Sequence, residues 1–582
     1  MKMNRREFIK AGSAGTILGV SSMGEAISKT QTSSKPQVEP GSGKIRRILA
    51  EDGIWWLGSD GHLSRRHLDR FAEEAAGAVD ILAPVMAMPE ICFYNTKVGE
   101  LFGSNIKVFK GKNVGGMPAR SHTFFWLQAS ALRSLIASGN DPAVVLPESC
   151  HKRGLRALAN IKMNDTHHIY RDNFPYRSQF LLDNPQWHLP MPAGREKVEG
   201  TDWMVLDYSF PEVRNHRLGI LQELIERYEW DGFFLNFVRA PYIFPEKLAE
   251  ERAPIMNEFM RQVRELLIKT AQKRQKGRLD LAVLVPYQLQ TCTKLGLDLG
   301  TWMKEGLVDM VCPSGVTWTE FSTKVDDFSN LAKGTSCGIY PCCQPYLDSR
   351  KITLYQSGKM TREMYRAVAH NAYTWGGAGL SFYNYVEGGP GGGHIYRFKE
   401  DIHDPTGEQS HRNGIDREMM KEVSNPEFVS RNDRHYVFLP GSSQNRHGLF
   451  DAVPRMHAII IEPGEAGTRK VFPFRIAEDF RERGVRRLFR FKVVNQTFLD
   501  RIEVDLNGHA QPLEGFRREY HWYGISEWGM LEPYYQYECE LTSPPGQKGD
   551  NELGVKLVKR NAALEEDGIR VQDLEVKVKY GA

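Results

Sequence analysis

The strongest constraint on this chain is an alternation. From residue 54 to residue 385, apolar runs of strand length take turns with helical patterns. The strand-like runs are "IWWLGSD" from Ile54, "DILAPVM" from Asp80, "RALANIKMND" from Arg156 and "DGFFLNFVR" from Asp231. They continue with "DLAVLVPY" from Asp280, "VDMVCPS" from Val308, "CGIYPCCQ" from Cys337 and "GLSFYNY" from Gly379. Between them lie helical stretches such as "PEVRNHRLGILQELIERY" from Pro211 and "TREMYRAVAHNAYTW" from Thr361; Pro211 suits a first helical turn. Continuous apolar runs joined by helices call for a parallel sheet covered on both faces. Eight such units over roughly 340 residues predict an α/β fold, a (β/α)8 TIM barrel with long loops. A doubly wound open sheet is the alternative, but no GxGxxG follows the first strand.

After about residue 396 the period changes. Residues 396–435 are polar, with one helical stretch near Met419, and read as a connector. From 436 the runs alternate, as in "RRLFRFKVV", "DRIEVDLNG", "YYQYECEL", "NELGVKLV" and "LEVKVKY". Turn signals separate them at Asn507-Gly508, Pro544-Pro545-Gly546 and Gly549-Asp550-Asn551. This pattern predicts an all-β sandwich over 436–582, behind a barrel spanning 45–395.

The N-terminus carries "NRREFIK", with Arg5 and Arg6 ahead of Phe8 and Lys10, a twin-arginine export pattern. The small-residue apolar run Ala11–Met23 is too short to span a bilayer. "GEA" then offers small residues for cleavage after Ala26. The expected order is a signal peptide over 1–26 and a disordered Ser/Pro/Gly-rich spacer over 27–44. Such a chain uses the twin-arginine translocase and ends in the periplasm or outside the cell. Of the formal charge of +4, the four cations and two acids of the signal contribute half. A mature chain near neutrality argues against nucleic-acid partners, and no membrane span is expected. The eight cysteines show no CxxC and read as buried free thiols, with one bridge among strand ends left open.

In such a barrel, chemistry sits at the C-terminal ends of the strands. Asp231 precedes Asn236 by five residues, about 16 Å in a strand. It therefore belongs to the opposite rim, with the other strand-opening acids Asp80, Asp280 and Asp309. The exit positions are Ser59 and Asp60, Asn164 and Asp165, Asn236 and Arg239, Tyr287 and Gln288, Ser314, Gln344, and Tyr383 to Tyr385. Trp318, Glu320 and Glu387 lie just beyond. Singly, each reads equally well as an ordinary loop contact. As a ring, amides that donate and accept suit sugar hydroxyls, and aromatic faces suit sugar rings. The segment "NDTHH" invites a metal reading, but adjacent histidines rarely face one ion and no HExxH is present. Neither a metal nor another cofactor is expected; Asp165 reads as an acid/base and His168 as a hydroxyl contact.

These blocks resemble the family-10-like glycosyl hydrolases of bacterial secretomes. "ALANIKMNDTHH" is similar to that family's strand 3 with its MND-x-H ending. "VLDYSFPEVRNHRLGILQELIERYEWDGFFLNFVR" is similar to its LD-x-S-x-PEVR run followed by DG-x-x-LD. "LGLDLGTWMKEGLVDMVCPS" and "NAYTWGGAGLSFYNY" match the stretches around strands 6 and 8. The resemblance covers residues 50 to 390 and continues more weakly through "DRIEVDLNG" and "DNELGVKL". It implies a glycan-acting barrel.

One departure matters. Where the family usually reads LD, this chain reads "LN", so Asn236 stands in place of a carboxylate. At the strand-7 exit, where related glycosidase barrels often carry an acid, this chain has Gln344. Glycosidases generally need two carboxyl groups about 5 to 9.5 Å apart, and an amide cannot serve as either. Two readings stay open. In the first, catalysis rests on Asp165 with Asp60, Glu320 or Glu387, while Asn164, His168, Asn236, Arg239, Tyr287, Trp318, Gln344, Tyr383 and Asn384 hold the glycan. In the second, the barrel binds glycans without cleaving them.

Overall fold

The computed structural model describes residues 45–51, 64–104, 122–165, 175–191, 203–315, 318–345, 347, 360–385, 415–439, 458–522, 532–542, 545–564 and 567–581. The signal and spacer, the run at Ile54, and Asp60, His168 and Glu387 lie outside them.

The parallel strands are β1 (Arg47–Glu51), β2 (Ile81–Met88), β3 (Arg156–Ala157 and Ala159–Lys162), β4 (Gly232–Asn236) and β5 (Asp280–Pro286). They continue as β6 (Met310–Ser314), β7 (Gly338–Ile339 and Cys342–Cys343) and β8 (Leu380–Tyr383). Adjacent pairs run in chain order from β1 to β6. The first half of β7 pairs with β6 and the second half with β8, and β8 pairs in turn with β1. The result is a barrel-like α/β domain. Its first described strand is Arg47–Glu51, which the sequence reading did not include; it pairs on both sides, with Ile48 opposite Ile81 and Ser381, while the expected run at Ile54 lies outside the described residues. Three apolar residues suffice there because each has a partner on one face or the other.

The period of two sorts the strands' side chains. Ile48, Ala50, Ile81, Ala83, Leu158, Phe234, Ala282, Leu284, Met310, Cys312, Cys342 and Tyr383 form one inner cluster. Leu49, Leu82, Phe233, Leu235, Leu281, Val283, Val311 and Phe382 join the outer core. Helices supply much of that outer layer, including α1 (Pro211–Arg227), α2 (Ala253–Lys273) and α3 (Arg362–Thr374). Pro211 opens α1 at the position where its missing N–H is harmless.

The strand-opening aspartates do structural work. The Asp80 carboxylate accepts from the N–H groups of Arg46 and Arg47, both at 2.8 Å. Asp231 accepts from the Ala157 N–H at 2.8 Å and contacts His151 Nε2 at 2.8 Å. Asp309 accepts from the Leu281 N–H at 2.7 Å. Each ties its own strand to the start of a neighbour. Gly232, next to Asp231, has φ +144, and a Cβ there would lie 1.9 Å from the Asp280 carbonyl oxygen. No other residue fits that approach, which accounts physically for the Asp-Gly pair.

The C-terminal region holds two antiparallel sheets. Strands β9 (Arg434–Phe438), β10 (Ala458–Ile461), β12 (Val485–Val494), β15 (Arg517–His521), β16 (Tyr534–Glu540) and β18 (Ile569–Tyr580) form one. Strands β11 (Arg469–Ile476), β13 (Arg501–Leu506), β14 (His509–Ala510) and β17 (Gly549–Lys559) form the other. Their inner faces meet through Phe474 and Phe489, with ring centroids 5.8 Å apart. Asn507 and Gly508 both take positive φ, 53 and 79, as a tight hairpin turn between β13 and β14 requires. The Gly549-Asp550-Asn551 signal differs from expectation: these residues lie inside β17, opposite Ile476, Arg475 and Phe474.

The β-rich region packs directly on the barrel. Asn371 of α3 donates to the Phe321 carbonyl and accepts from the Ala477 N–H. Glu478 is fully buried, with both oxygens held by Arg434 at 2.8 Å and one also by the Tyr436 hydroxyl at 2.6 Å. Burial pushes its carboxyl up, but the hydrogen bonds from Arg434 and His370 outweigh that and hold it far below the usual range. All eight cysteines are free, and seven are buried. Among the described residues no helix is long and apolar enough to cross a membrane, and no group of three metal-capable side chains converges.

Candidate functional site

The polar groups of the C-terminal end are set by the same strand parity. On β3, Leu158 faces the lumen, so Asn160 and Lys162 follow it on the inner side. The Asn160 amide donates to the Glu51 carbonyl at 2.9 Å, joining β3 to the end of β1. Lys162 is 0% exposed, and its ammonium stands 2.8 Å from the carboxylate of Asp165, itself 2% exposed. A lysine and an aspartate three residues apart thus form an ion pair inside the barrel.

The bend after β3 is fixed from behind. The Tyr208 hydroxyl donates to the Met163 carbonyl at 2.6 Å, and the Arg217 Nε donates to Tyr208 at 3.1 Å. Arg217 also holds Glu90 at 2.7 Å, at the end of β2. These residues belong to the "LDYSFPEVRNHR" stretch, whose buried arginine buttresses the exit of β3. The Asn164 amide donates to the carbonyls of Leu206 at 2.9 Å and Tyr242 at 2.7 Å. Its nitrogen is thereby committed to framing the loop on which Asp165 sits.

Asn236 closes β4 in register with Lys162 on β3. Its carbonyl oxygen accepts from the N–H groups of Val238 at 2.9 Å and Arg239 at 3.3 Å. Backbone N–H groups can only donate, so they fix which end of the amide is oxygen. The amide nitrogen then donates to the Tyr383 hydroxyl at 2.6 Å. Tyr383 is on β8, far from β4 in the strand order, and 147 residues away in sequence. The two side chains form a crossbar over the lumen. Because the tyrosine oxygen accepts here, its own proton is directed away from Asn236. An aspartate would reverse this, taking both backbone N–H groups and the tyrosine proton as well.

Tyr287, Trp318, Val238 and Tyr340 join Tyr383 in the inner cluster. The Gln288 amide reaches the Tyr287 hydroxyl at 3.3 Å. Trp318 Nε1 lies 3.4 Å from one oxygen of Glu320, and the other accepts from the Ser322 N–H at 2.9 Å. Glu320 is 4% exposed and is a second described carboxylate at this end. Gln344 follows β7, two residues past the lumen-facing Cys342. Its backbone exchanges two 2.9 Å hydrogen bonds with the Thr319 side chain. Its amide nitrogen is buried and has no hydrogen-bond partner among the described residues. Arg239 is half-buried past β4. Asn384 takes the left-handed φ of 54, which asparagine tolerates, and its N–H donates to the Ala50 carbonyl at 3.0 Å.

Two buried groups escaped the sequence reading. Glu51 closes β1 and is 1% exposed; recognising "RILAE" as the first strand would have found it. Lys162 was hidden inside an apolar run, but the alternate positions Leu158, Asn160 and Lys162 grow more polar toward the exit, and that gradient is the signal.

No family model matches this chain, and no curated protein matches it. Solved structures similar to it include glycoside hydrolases of several kinds. One is alpha-L-fucosidase isoenzyme 2 from Paenibacillus thiaminolyticus, at 11% identity and a TM-score of 0.37, covering 68% of this chain and 51% of that one. This chain therefore spans about half the length of that enzyme. Another is the PgaB (BpsB) glycoside hydrolase domain from Bordetella bronchiseptica, at 10% identity and a TM-score of 0.35, covering 60% of this chain and 96% of that one. A third is a GH113 beta-1,4-mannanase, at 10% identity and a TM-score of 0.32, covering 66% and 99%.

Proposed function

We propose that this chain is an exported glycoside hydrolase-like protein that acts on a polysaccharide or oligosaccharide at the C-terminal end of a closed eightfold barrel. Closure is supported by β7, whose two halves belong to one six-residue stretch interrupted only by Tyr340 and Pro341. Export to the periplasm or beyond rests on Arg5 and Arg6. The observation that carries the glycan reading is Gln344: its buried amide nitrogen has no hydrogen-bond partner among the described residues, and its backbone bonds the side chain of Thr319, the chain neighbour of Trp318, so the amide asks for an acceptor such as a sugar hydroxyl. Asp165 serves as base or nucleophile, and the acid is Glu320, past β6, or one of Asp60 and Glu387, which lie outside the described residues. Purified mature protein screened against a polysaccharide panel, with reducing-end detection, tests this. Turnover abolished in Asp165→Asn, with glycan binding retained, supports it; unchanged turnover sinks it.

A specific observation favours a second reading, a glycan-binding barrel that has lost hydrolysis. Asn236 occupies the place where the resembling family carries a carboxylate, and its surroundings would accept one without rearrangement. If Asn236→Asp creates hydrolysis where the native chain has none, this second reading is the correct one.

A further inference from the structure

We propose that Lys162 is the residue that sets the protonation state of Asp165, and that Asn236 does not. The inference rests on the reading of Asp165 as the working carboxylate, and its test is independent of turnover. A carboxylate 2% exposed is driven toward its neutral form by loss of water, unless an opposite charge or hydrogen bonds hold it ionised. Asn236 is neutral, and its amide oxygen and nitrogen are engaged with Val238, Arg239 and Tyr383. Lys162 stands at 2.8 Å, is itself fully buried, and projects from the strand that delivers Asp165.

The distance also decides what Lys162 does not do. The two working groups of a glycosidase flank the scissile bond, about 5 to 9.5 Å apart. A cation at 2.8 Å stands on the same side as Asp165 and leaves no room for a sugar between them. Lys162 is therefore a positioning residue: it keeps Asp165 charged and aimed, as a base or nucleophile requires. Other titratable or charged groups at this end include Glu51 on β1, Glu90 past β2 with its partner Arg217, Tyr208 behind the β3 exit, Arg239 past β4, Tyr287 past β5, Glu320 past β6 and Tyr383 on β8.

Difference infrared titration of the carboxyl band, with Asp165→Asn as the subtraction reference, reads this directly in the mature protein. Lys162→Met is expected to raise the Asp165 midpoint by about one to three pH units, a tenfold to thousandfold change in proton affinity. Lys162→Arg should restore most of the native value, and Asn236→Ala should leave it unmoved. A midpoint that follows Asn236→Ala and ignores Lys162→Met overturns the proposal. If Lys162→Met does not fold, the double variant Lys162→Met/Asp165→Asn decides. Recovery of folding in the double variant supports a pair that must be charged or neutral together, and no recovery overturns it. Absence of glycan turnover in the native chain would sink the functional reading and leave this result standing.

Discussion

The two rims of the barrel use the same kinds of residue in opposite ways. At the N-terminal rim, Asp80, Asp231 and Asp309 each accept backbone N–H groups from a neighbouring strand. The C-terminal rim adds two buried side-chain pairs to its backbone contacts: the ion pair of Lys162 with Asp165, and the hydrogen bond from Asn236 to Tyr383 on a strand far from its own. The first arrangement closes the backbone's own accounts where the strands start. The second places polar and charged side chains inside the strands, some of them also bonded to backbone groups at the strand exits. An aspartate's place along its strand, rather than its identity, decides whether it accepts from a neighbouring strand's backbone or pairs with a buried lysine.

The sharpest test of the lower rim is Gly232→Ala. The added Cβ meets the Asp280 backbone at 1.9 Å in a conformation that alanine avoids. We expect a loss of more than about 4 kcal/mol in denaturant unfolding, or failure to fold. Asp231→Asn comes next. It keeps the shape but removes the charge that holds the Ala157 N–H and His151, and should lower stability by about 1.5 to 3 kcal/mol with glycan affinity unchanged. A fall in affinity without a fall in stability would break the distinction between the rims.

At the upper rim, Asn236→Ala should weaken glycan binding by about 1 to 3 kcal/mol in calorimetric titration, because it orphans the Val238 N–H and removes the crossbar. Equal binding would mean that the crossbar is mere scaffold. The smallest effect concerns Asp280, beside Arg156 at the lower rim. Burial, opposed by Arg156 and reinforced by Asp309 and Asp231, pushes its carboxyl from 3.8 up to about 6. The folded state thus binds this proton more tightly than the unfolded chain, so this group's contribution to stability falls as pH rises from about 4 to about 6. Asp280→Asn should remove that part of the slope in thermal midpoints measured across this range, whereas Asn236→Ala should leave it in place.

Seven of the strands were legible because long apolar runs leave few alternatives to a covered parallel sheet. β1 was not: Ile48, Leu49 and Ala50 are a weak signal beside the aromatic run at Ile54, and only their two ladder partners give them weight. The exit positions Asp165, Asn236 and Gln344 followed from strand direction alone. The Asn236–Tyr383 bond could not be read, since it joins residues 147 apart through the lumen. The charge partner of Asp165 was missed for another reason. A lysine among apolar residues reads as an interruption of the pattern until its neighbours two and four positions back are seen to share its face.

The eight unpaired thiols make the native chain its own gauge of local opening. A thiol reacts as thiolate, and only once reagent can reach it. Burial raises Cys92, Cys337 and Cys539 to about 12 and Cys342 to about 11, so closed protein is nearly inert at neutral pH. Labelling rates then report how often each layer opens. Cys342 lines the lumen, whereas Cys539 is half-buried on β16 of the β-rich region. A slow clock in the barrel and a faster one at Cys539 would give two local opening free energies from one unmodified sequence, each timed by mass spectrometry.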